Sequence, residues 1–408
     1  MYRRIVRARS LRAADSTGWL PIAGAQQARG VMRLVDNWLH ASCDSAATSY
    51  DAALTAFAFA YASPHTPERH ARACELLELA IEKLAEESPA PHLLGGASGT
   101  GFLIAETQRL LFGGEGEDLV EALDELVEGA VAVSHRDAPH DLVDGLVGLG
   151  VYARARLPRP WARRTIALIV SELAERAQRT ADGLAWPSRK SQVHVGVALP
   201  EGERFWDTGL AHGTAGVCAW LASVAALDPL RVGRLLRGGG PWLSRLLDAC
   251  YRLNASPPRF VSDRGWGPPM PEGWCYGATS CAVALMQVAQ VARQPLWRIT
   301  AELALLRATD EPGVVENATL CHGSAGLLHV CNRLGQTFSS QALEARARRW
   351  LERTLELCGE TSNACAEPVS DALLTGEVGQ ALALMATVSR VDPSWDALLL
   401  LPSQEFLR

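Results

Sequence analysis

Two short stretches of the sequence carry side chains that could bind a transition metal. Residues 274–277 read Trp-Cys-Tyr-Gly, and residues 321–323 read Cys-His-Gly. Cys275, Cys321 and His322 together offer two sulfurs and one nitrogen, which suit zinc better than magnesium or calcium. Three protein ligands with one open position are typical of a catalytic zinc site, whereas a structural site is closed by four. The sequence therefore predicts one catalytic zinc ion per chain.

Most of the ten cysteines fit a simpler interpretation. Cys218 lies in Val-Cys-Ala-Trp-Leu and Cys331 lies in Leu-His-Val-Cys-Asn, and both stretches are apolar and helical in character. A free cysteine packs as a small hydrophobic residue, and a reducing cytoplasm disfavours disulfides. We therefore expect about eight buried thiols. Cys275 and Cys321 differ from these because each stands just before a glycine turn.

Two other polar residues stand near glycine turns. His212 directly precedes a glycine, as Tyr276 and His322 do, and Asp141 lies four residues before the first glycine of an earlier turn. Histidine can act as an acid or a base near neutral pH, and a carboxylate can fix its tautomer. The simpler interpretations are a core histidine, an aspartate N-cap and a packed tyrosine. The position at the mouth of a helix favours function for His212 and Asp141, and for Tyr276 it leaves both interpretations open.

Glycine turns recur along the chain, and each leads into an apolar helical stretch. The turns occupy residues 96–99, 145–148, 213–216, 277–280, 323–326 and 376–379, with Ser280 replacing the second glycine of the fourth. Most follow an amphipathic stretch, such as residues 71–86, whose apolar residues are three and four positions apart. Glycine permits a positive φ and a close approach of backbones. Six units of outer helix, turn and inner helix predict a ring whose inner helices begin at one end.

We expect a single domain, residues 1–408, with the repeats between about residues 90 and 390. Two segments interrupt the helical pattern. Residues 183–205 include alternating apolar residues between prolines, and they predict a small β insertion or an inserted loop. Residues 256–273 are rich in proline and glycine and predict a loop that reaches Cys275.

The overall composition excludes several classes of protein. Apolar residues make up 48% and charged residues 21%, as is usual for a globular chain. The net charge of −6 offers no general attraction for nucleic acid or anionic lipid. No apolar run approaches the roughly 20 residues that span a membrane. The basic N-terminus is not followed by the apolar segment of a signal peptide. A cytoplasmic protein is therefore expected.

The sequence resembles the lanthionine synthetase C-like (LanC-like) cyclases. The resemblance lies in Leu-Ala-His-Gly-x-x-Gly at residues 210–216, Trp-Cys-Tyr-Gly at 274–277 and Cys-His-Gly-x-x-Gly at 321–326, and it extends through all six glycine turns. The chain length is similar to that of the stand-alone cyclases of class I lanthipeptide antibiotic pathways.

The resemblance implies an all-α (α/α)6 toroid with zinc at one end of its cavity. It implies that Cys275, Cys321 and His322 bind the zinc, that His212 and Asp141 serve acid–base catalysis, and that Tyr276 is the motif tyrosine. The implied reaction adds a peptide cysteine thiol to a dehydroalanine or dehydrobutyrine, which forms a lanthionine or methyllanthionine ring. The implied partners are a dehydrated precursor with leader and core segments, a dehydratase and an exporter. The sequence does not identify the leader-binding site, and the inserted segment 183–205 is the place to look for it.

One departure from the family pattern concerns charge. Several class I cyclases have an arginine four residues before the first zinc cysteine, where this chain has Pro271, and Arg259 or Arg264 could substitute. Two alternative functions remain open from the residues. The first is addition of glutathione to dehydroamino acids, and the second is non-catalytic binding of a peptide or glutathione. An (α/α)6 glycosidase would need paired carboxylates across the cavity, and the sequence shows no such pair at the turns, where only Asp141 and Asp144 qualify.

Overall fold

The computed structural model describes residues 18–63, 66–113, 118–134, 138–188, 204–311, 315–360 and 372–407. In this part of the chain, fourteen α-helices alternate between outer and inner positions. The outer helices are α1 (Ala25–Ser45), α3 (Pro67–Glu86), α5 (Glu121–Ser134), α7 (Pro160–Arg176), α9 (Pro229–Leu253), α11 (Pro295–Ala308) and α13 (Gln341–Glu360). The inner helices are α2 (Ser49–Ala62), α4 (Ala97–Phe112), α6 (Leu146–Ala155), α8 (Thr214–Ser223), α10 (Gly277–Ala292), α12 (Ser324–Phe338) and α14 (Glu377–Met385).

The inner helices form a closed ring. Each packs against the next along the chain, and α14 packs against α2 and α1. This arrangement confirms the predicted α/α toroid. Besides the six inner helices that follow glycine turns, α2 occupies a place in the ring. Its first turn is closed by a capping box, in which Thr48 Oγ1 accepts from the amide of Asp51 (3.1 Å) and Asp51 accepts from the amide of Thr48 (3.2 Å). A search for glycine turns therefore overlooks this helix pair.

Burial distinguishes the two rings of helices. Every residue of α8 from Thr214 to Ala222 is buried, because this helix is surrounded by other helices. The outer helix α3 buries Ala73, Leu76, Leu77 and Ala80, which lie on one face, and leaves its charged residues towards solvent. The apolar inner stretches and the amphipathic outer stretches of the sequence therefore have the positions that their patterns predict.

Backbone hydrogen bonds join neighbouring glycine turns at one end of the ring. Amide groups donate to carbonyl groups in five pairs: Leu93 to Val143 (3.4 Å), Leu142 to Ala211 (3.0 Å), Leu210 to Cys275 (3.1 Å), Cys275 to Cys321 (3.2 Å) and Cys321 to Leu374 (2.9 Å). Each turn is thereby bonded to the next turn along the chain. Residues at equivalent positions of successive turns must therefore lie next to one another.

The second glycine of a turn is required by close backbone approach. A Cβ atom on Gly216 would lie 2.1 Å from the carbonyl oxygen of Leu210, and one on Gly326 would lie 2.0 Å from that of Leu320. A positive φ is required at the first position of the fourth turn, where Gly277 has a φ of +84°. Close approach therefore explains most of the motif, and backbone freedom explains Gly277.

Replacing Gly216 by alanine is expected to lower the free energy of unfolding by about 1–3 kcal/mol, because the added methyl group must displace backbone. Gly30, in α1, has no heavy atom within 4 Å of the place a Cβ would take, so Gly30→Ala is the control. That control is expected to raise the free energy of unfolding by about 0.4–1 kcal/mol. Urea unfolding measures both. Equal stability of the two variants would refute the close-approach explanation.

Two small antiparallel sheets accompany the helices. Strands β1 (Gln178–Arg179) and β2 (Leu184–Ala185) form a hairpin, and β3 (Phe205–Asp207), β4 (Phe260–Ser262) and β5 (Gly265–Trp266) form the other sheet in that order. The predicted insertion 183–205 begins one residue before β2 and ends at the first residue of β3, and its residues 189–203 lie outside the described part. The predicted loop 256–273 contains β4 and β5. None of the described helices combines the length and the apolar character that crossing a lipid bilayer requires.

Candidate metal centre

Cys275, Cys321 and His322 converge where the fourth and fifth turns meet. One ligand atom from each residue lies within 4.8 Å of the other two. The two cysteines are half-buried and the histidine is exposed, so the cluster opens towards solvent on one side. The hydrogen bond from the Cys275 amide to the Cys321 carbonyl fixes the two turns relative to each other (3.2 Å). The structure thus brings together the three residues predicted as metal ligands.

The cluster favours a thiolate. The pKa of Cys275 is lowered to about 6. A hydrogen bond from the Cys321 thiol lowers it most, burial raises it, and His322 lowers it again through a hydrogen bond and through its charge. The pKa of His322 is raised, chiefly by its hydrogen bond to Cys275. An anionic sulfur beside an imidazole is a donor set that binds zinc.

Glu272 positions the turn that carries Cys275. Its half-buried carboxylate accepts hydrogen bonds from the amides of Ala278 (3.2 Å) and Thr279 (3.1 Å) at the start of α10, and from the hydroxyl of Ser256 (2.7 Å). Burial raises the pKa of Glu272. A carboxylate at a helix N-terminus satisfies amides that lack partners within the helix. Glu272 was not among the predicted site residues, although a glutamate just before a helix start is a recognisable signal.

His212 and Asp141 are in contact. The Nδ1–H of His212 donates to Asp141 Oδ2 (3.0 Å), and Asp141 Oδ1 accepts from the amide of Asp144 (2.9 Å). The side chain of His212 is 15% exposed, whereas that of Asp141 is 1% exposed. Asp141 therefore closes its own turn and also orients the imidazole, but it is not the predicted N-cap, because the N-cap of α6 is Gly145.

The pKa of His212 is raised above its usual value. Burial lowers the pKa, but the hydrogen bond to Asp141 and the charges of Asp141, Asp207 and Asp144 raise it by more. An imidazolium that lost its Nδ1 proton would give up the hydrogen bond to Asp141. The ring is therefore held with its other nitrogen, Nε2, as the group that can exchange a proton.

Tyr276 belongs to a buried polar cluster. Its hydroxyl donates to Asp207 Oδ2 (2.8 Å), and the guanidinium of Arg259 lies over its ring, 5.7 Å from the centroid. Burial raises the pKa of Asp207. The pKa of Tyr276 is also raised, mainly by burial and next by the nearby Asp207. Arg259 is buried, whereas Arg264 lies exposed in the turn between β4 and β5. Of the two arginines considered in place of Pro271, Arg259 is therefore the one that lies against Tyr276.

Asp207 is a site residue that the sequence analysis missed. Its Oδ1 accepts from the amide of Gly209 (2.9 Å), as Asn317 Oδ1 accepts from the amide of Thr319 (3.1 Å) in the fifth turn. Asp207 and Asn317 both stand six residues before the first glycine of their turns (207 to 213, 317 to 323). That repeated position is a signal that could have found Asp207. The position by itself indicates the local turn, and the hydrogen bond between Asp207 and Tyr276 comes in addition to that turn.

Ser280, the departure from glycine in the fourth turn, links two site turns. Its hydroxyl oxygen accepts from the amide of Leu210 (2.6 Å) and donates to the carbonyl of Cys275 (3.3 Å). Leu210 lies two residues before His212 in the sequence. The serine therefore strengthens the connection between the histidine turn and the cysteine turn.

Replacing Tyr276 by phenylalanine should lower the free energy of unfolding by about 1–3 kcal/mol, because the buried carboxylate of Asp207 loses a donor. Bound metal should be retained, since the phenol is not one of the clustered ligands. Thermal unfolding and metal analysis check both expectations. Tyr251→Phe, at an exposed tyrosine, is the control and should leave stability unchanged. Loss of metal in Tyr276→Phe would contradict this assignment.

The chain belongs to the lanthionine synthetase C-like protein family, whose sequence pattern it matches over residues 52–400. Among solved structures it is similar to nisin cyclase, with a TM-score of 0.74 and 14% sequence identity. That similarity covers 94% of this chain and 99% of nisin cyclase. At this identity, the likeness concerns the fold. A direct sequence comparison finds no match among curated proteins.

Proposed function

We propose that the chain is a zinc-dependent peptide cyclase. It would add a cysteine thiol to a dehydroalanine or dehydrobutyrine of the same peptide and form lanthionine or methyllanthionine. The observation that carries this proposal is the juxtaposition of Cys275, Cys321 and His322 with the His212–Asp141 pair at one end of the ring. Membership of the lanthionine synthetase C-like family and the fold shared with nisin cyclase support it.

The donor set fits zinc. Two thiol sulfurs and one imidazole nitrogen lie within 4.8 Å of one another, and thiolate with imidazole selects zinc over the hard divalent cations. Cys275, Cys321 and His322 would hold the ion. When bound, zinc supplies a Lewis acid that keeps a coordinating thiol deprotonated at neutral pH. Two thiolate ligands from the protein balance the charge of the ion, which favours a nucleophilic substrate thiolate.

The protein's own residues would manage the proton. In the addition, the S–Cβ bond forms, the Cα=Cβ double bond breaks, and the α-carbon accepts a proton in place of the one that the thiol lost. His212 is the proposed proton donor, and Asp141 holds its ring in one orientation through Nδ1 (3.0 Å). The raised pKa of His212 keeps a larger share of the imidazolium present near neutral pH.

Tyr276 and Arg259 would complete the wall of the site. The bond from Tyr276 to Asp207 and the position of Arg259 over the tyrosine ring keep these three side chains in one arrangement. We assign to Arg259 the positive charge that Pro271 cannot provide, which would stabilise negative charge on the substrate carbonyl as the thiol adds.

The proposal extends to the surroundings of the enzyme. Residues 1–408 would act as one domain, in the cytoplasm, on a dehydrated precursor with leader and core segments. A dehydratase must act earlier because the acceptor residues are products of dehydration, and an exporter would act after ring formation.

Mass spectrometry of a dehydrated peptide tests the proposal. The peptide carries one cysteine and one dehydroalanine, and iodoacetamide is added after incubation to label any free thiol. The proposed enzyme converts the peptide into a product of unchanged mass that resists alkylation, faster than the same peptide reacts without protein. A product that gains the mass of glutathione when glutathione is present would favour the intermolecular addition instead. Peptide that stays fully alkylatable and gains no glutathione would contradict both.

A further inference from the structure

A groove on the outer wall of the ring, between α7 and α9, is not used by the metal centre. Its cavity measures about 640 Å³ and is bounded on its third side by the β1–β2 hairpin. The floor is formed by apolar or small residues, among them Ala174, Leu184, Leu235 and Pro241. The rest of the wall is basic, since Arg179, Arg231, Arg234 and Arg237 also line it.

The arginines of the groove form a local positive patch. Arg231, Arg234 and Arg237 follow one another at three-residue intervals in α9, so they share one side of that helix. All three are exposed, as is Arg179 on β1. Asp228 lies 3.6 Å from Arg231, and the nearby Asp182 is paired with Arg245 (3.2 Å). A chain with a net charge of −6 therefore concentrates basic residues at this groove.

The chemistry of the groove defines the class of its ligand. Guanidinium groups bind carboxylates in forked pairs, and the apolar floor suits aliphatic side chains. An acidic peptide segment with interspersed apolar residues offers both. The groove's lining residues include no aromatic side chain, whereas sites for single-stranded nucleic acid stack bases on aromatic rings. Charge complementarity thus favours an anionic ligand, and the lack of aromatic lining favours an acidic peptide over single-stranded nucleic acid.

The groove is connected to the metal centre by a short piece of backbone. Leu184 of β2 lines the groove, and two residues later the amide of Trp186 donates to Thr214 Oγ1 (3.3 Å), at the start of α8. Thr214 lies two residues after His212 in the sequence. The Ser188 hydroxyl then accepts from the amide of Asp207 (3.3 Å). The backbone that leaves the groove at Leu184 is thereby hydrogen-bonded to the start of α8, directly after the histidine turn.

We propose that the α7–α9 groove binds an acidic segment of the peptide substrate that lies outside its reacting residues. This inference rests on the proposed function, because it assumes that the substrate is a peptide. The groove holds the acidic segment while successive cysteines of the same peptide reach the metal centre, which raises their effective concentration there.

Fluorescence anisotropy tests the groove with a defined probe, a fluorescein-labelled synthetic peptide of glutamate and leucine residues. The groove variant is Arg234→Glu combined with Arg237→Glu. The control is Arg29→Glu combined with Arg33→Glu, which makes the same charge change at two exposed positions of α1. We expect the groove variant to bind the probe at least tenfold more weakly than wild type, and the control to bind within about twofold of it. Replacing the probe's glutamates by glutamine should also weaken binding at least tenfold.

Three outcomes would overturn the proposal. The groove variant could bind as tightly as the control, the glutamine probe could bind as tightly as the glutamate probe, or a labelled oligonucleotide of equal length could bind the groove more tightly than the acidic peptide does. Binding requires no reaction, so this test stands even if the protein forms no thioether. Loss of probe binding by a groove variant with native circular dichroism and wild-type zinc content isolates the groove from the metal centre.

Discussion

Replacing Cys321 by alanine is expected to remove zinc from the protein and to reduce thioether formation by at least about 10³-fold. Cys321 supplies one of three clustered ligand atoms, so the variant retains two ligands and cannot form the proposed site. A free thiol is only about 3% thiolate at pH 7, which alone costs a factor of about 30. Loss of the positioned thiol adds to this, because orientation contributes several powers of ten to such reactions.

The fold of this variant should persist. The turn that contains Cys321 is held by backbone hydrogen bonds to Cys275 and Leu374, which do not involve the sulfur. Cys74→Ala, at a half-buried cysteine of α3, is the matched control and should keep both zinc and activity. Metal analysis and the alkylation assay are applied to both variants. Full zinc content in Cys321→Ala would place the metal elsewhere.

Replacing His212 by asparagine should leave zinc in place and reduce the rate of ring formation by about 10²–10⁴-fold, the usual contribution of a positioned acid or base. Zinc should remain because His212 is not among the three clustered ligands. The combination of retained metal and lost rate distinguishes proton transfer from metal binding. Loss of zinc together with activity would show that His212 supports the metal site instead.

Asp141→Asn is the companion variant, and its effect appears in the pH profile. With Asp141 ionised, the pKa of His212 lies above its usual value because the aspartates outweigh burial. If His212 donates a proton as imidazolium, activity falls as the pH rises through that pKa. Neutralising position 141 removes the largest raising influence, so the falling limb should move to lower pH. If the falling limb of the pH profile lies at the same pH in Asp141→Asn as in the wild type, His212 is excluded as the proton donor whose titration causes it.

Because of the glycine turns, the sequence predicted the ring of helices and the end of the ring at which the turns lie. Residues at equivalent positions of successive repeats become neighbours because each turn is hydrogen-bonded to the next. The backbone hydrogen bonds between Cys275 and Cys321 and between Leu142 and Ala211 are two of these links. The prediction therefore needed no knowledge of side-chain packing. It failed to find α2 because Thr48 and Asp51 begin that helix with side-chain hydrogen bonds in place of a close backbone contact.

Contacts between segments that are far apart in the chain could not be predicted from the sequence. Asp207 and Arg259 meet at Tyr276 because β3 pairs with β4, and the register of that pairing has no signal in either segment alone. The loop before Cys275 looked irregular from its prolines and glycines, yet it carries the arginine at the site. The groove between α7 and α9 likewise depends on how two outer helices and a hairpin are spaced.

The proposed mechanism requires a zinc ion with two protein thiolates, one imidazole and a position that a substrate thiol fills. X-ray absorption at the zinc edge measures this coordination on protein purified without added metal and then mixed with a peptide that contains cysteine. We expect about one zinc per chain with two sulfur ligands, and a third sulfur ligand when the peptide is added. A folded protein without zinc, or a zinc whose sulfur count does not change with the peptide, would contradict it.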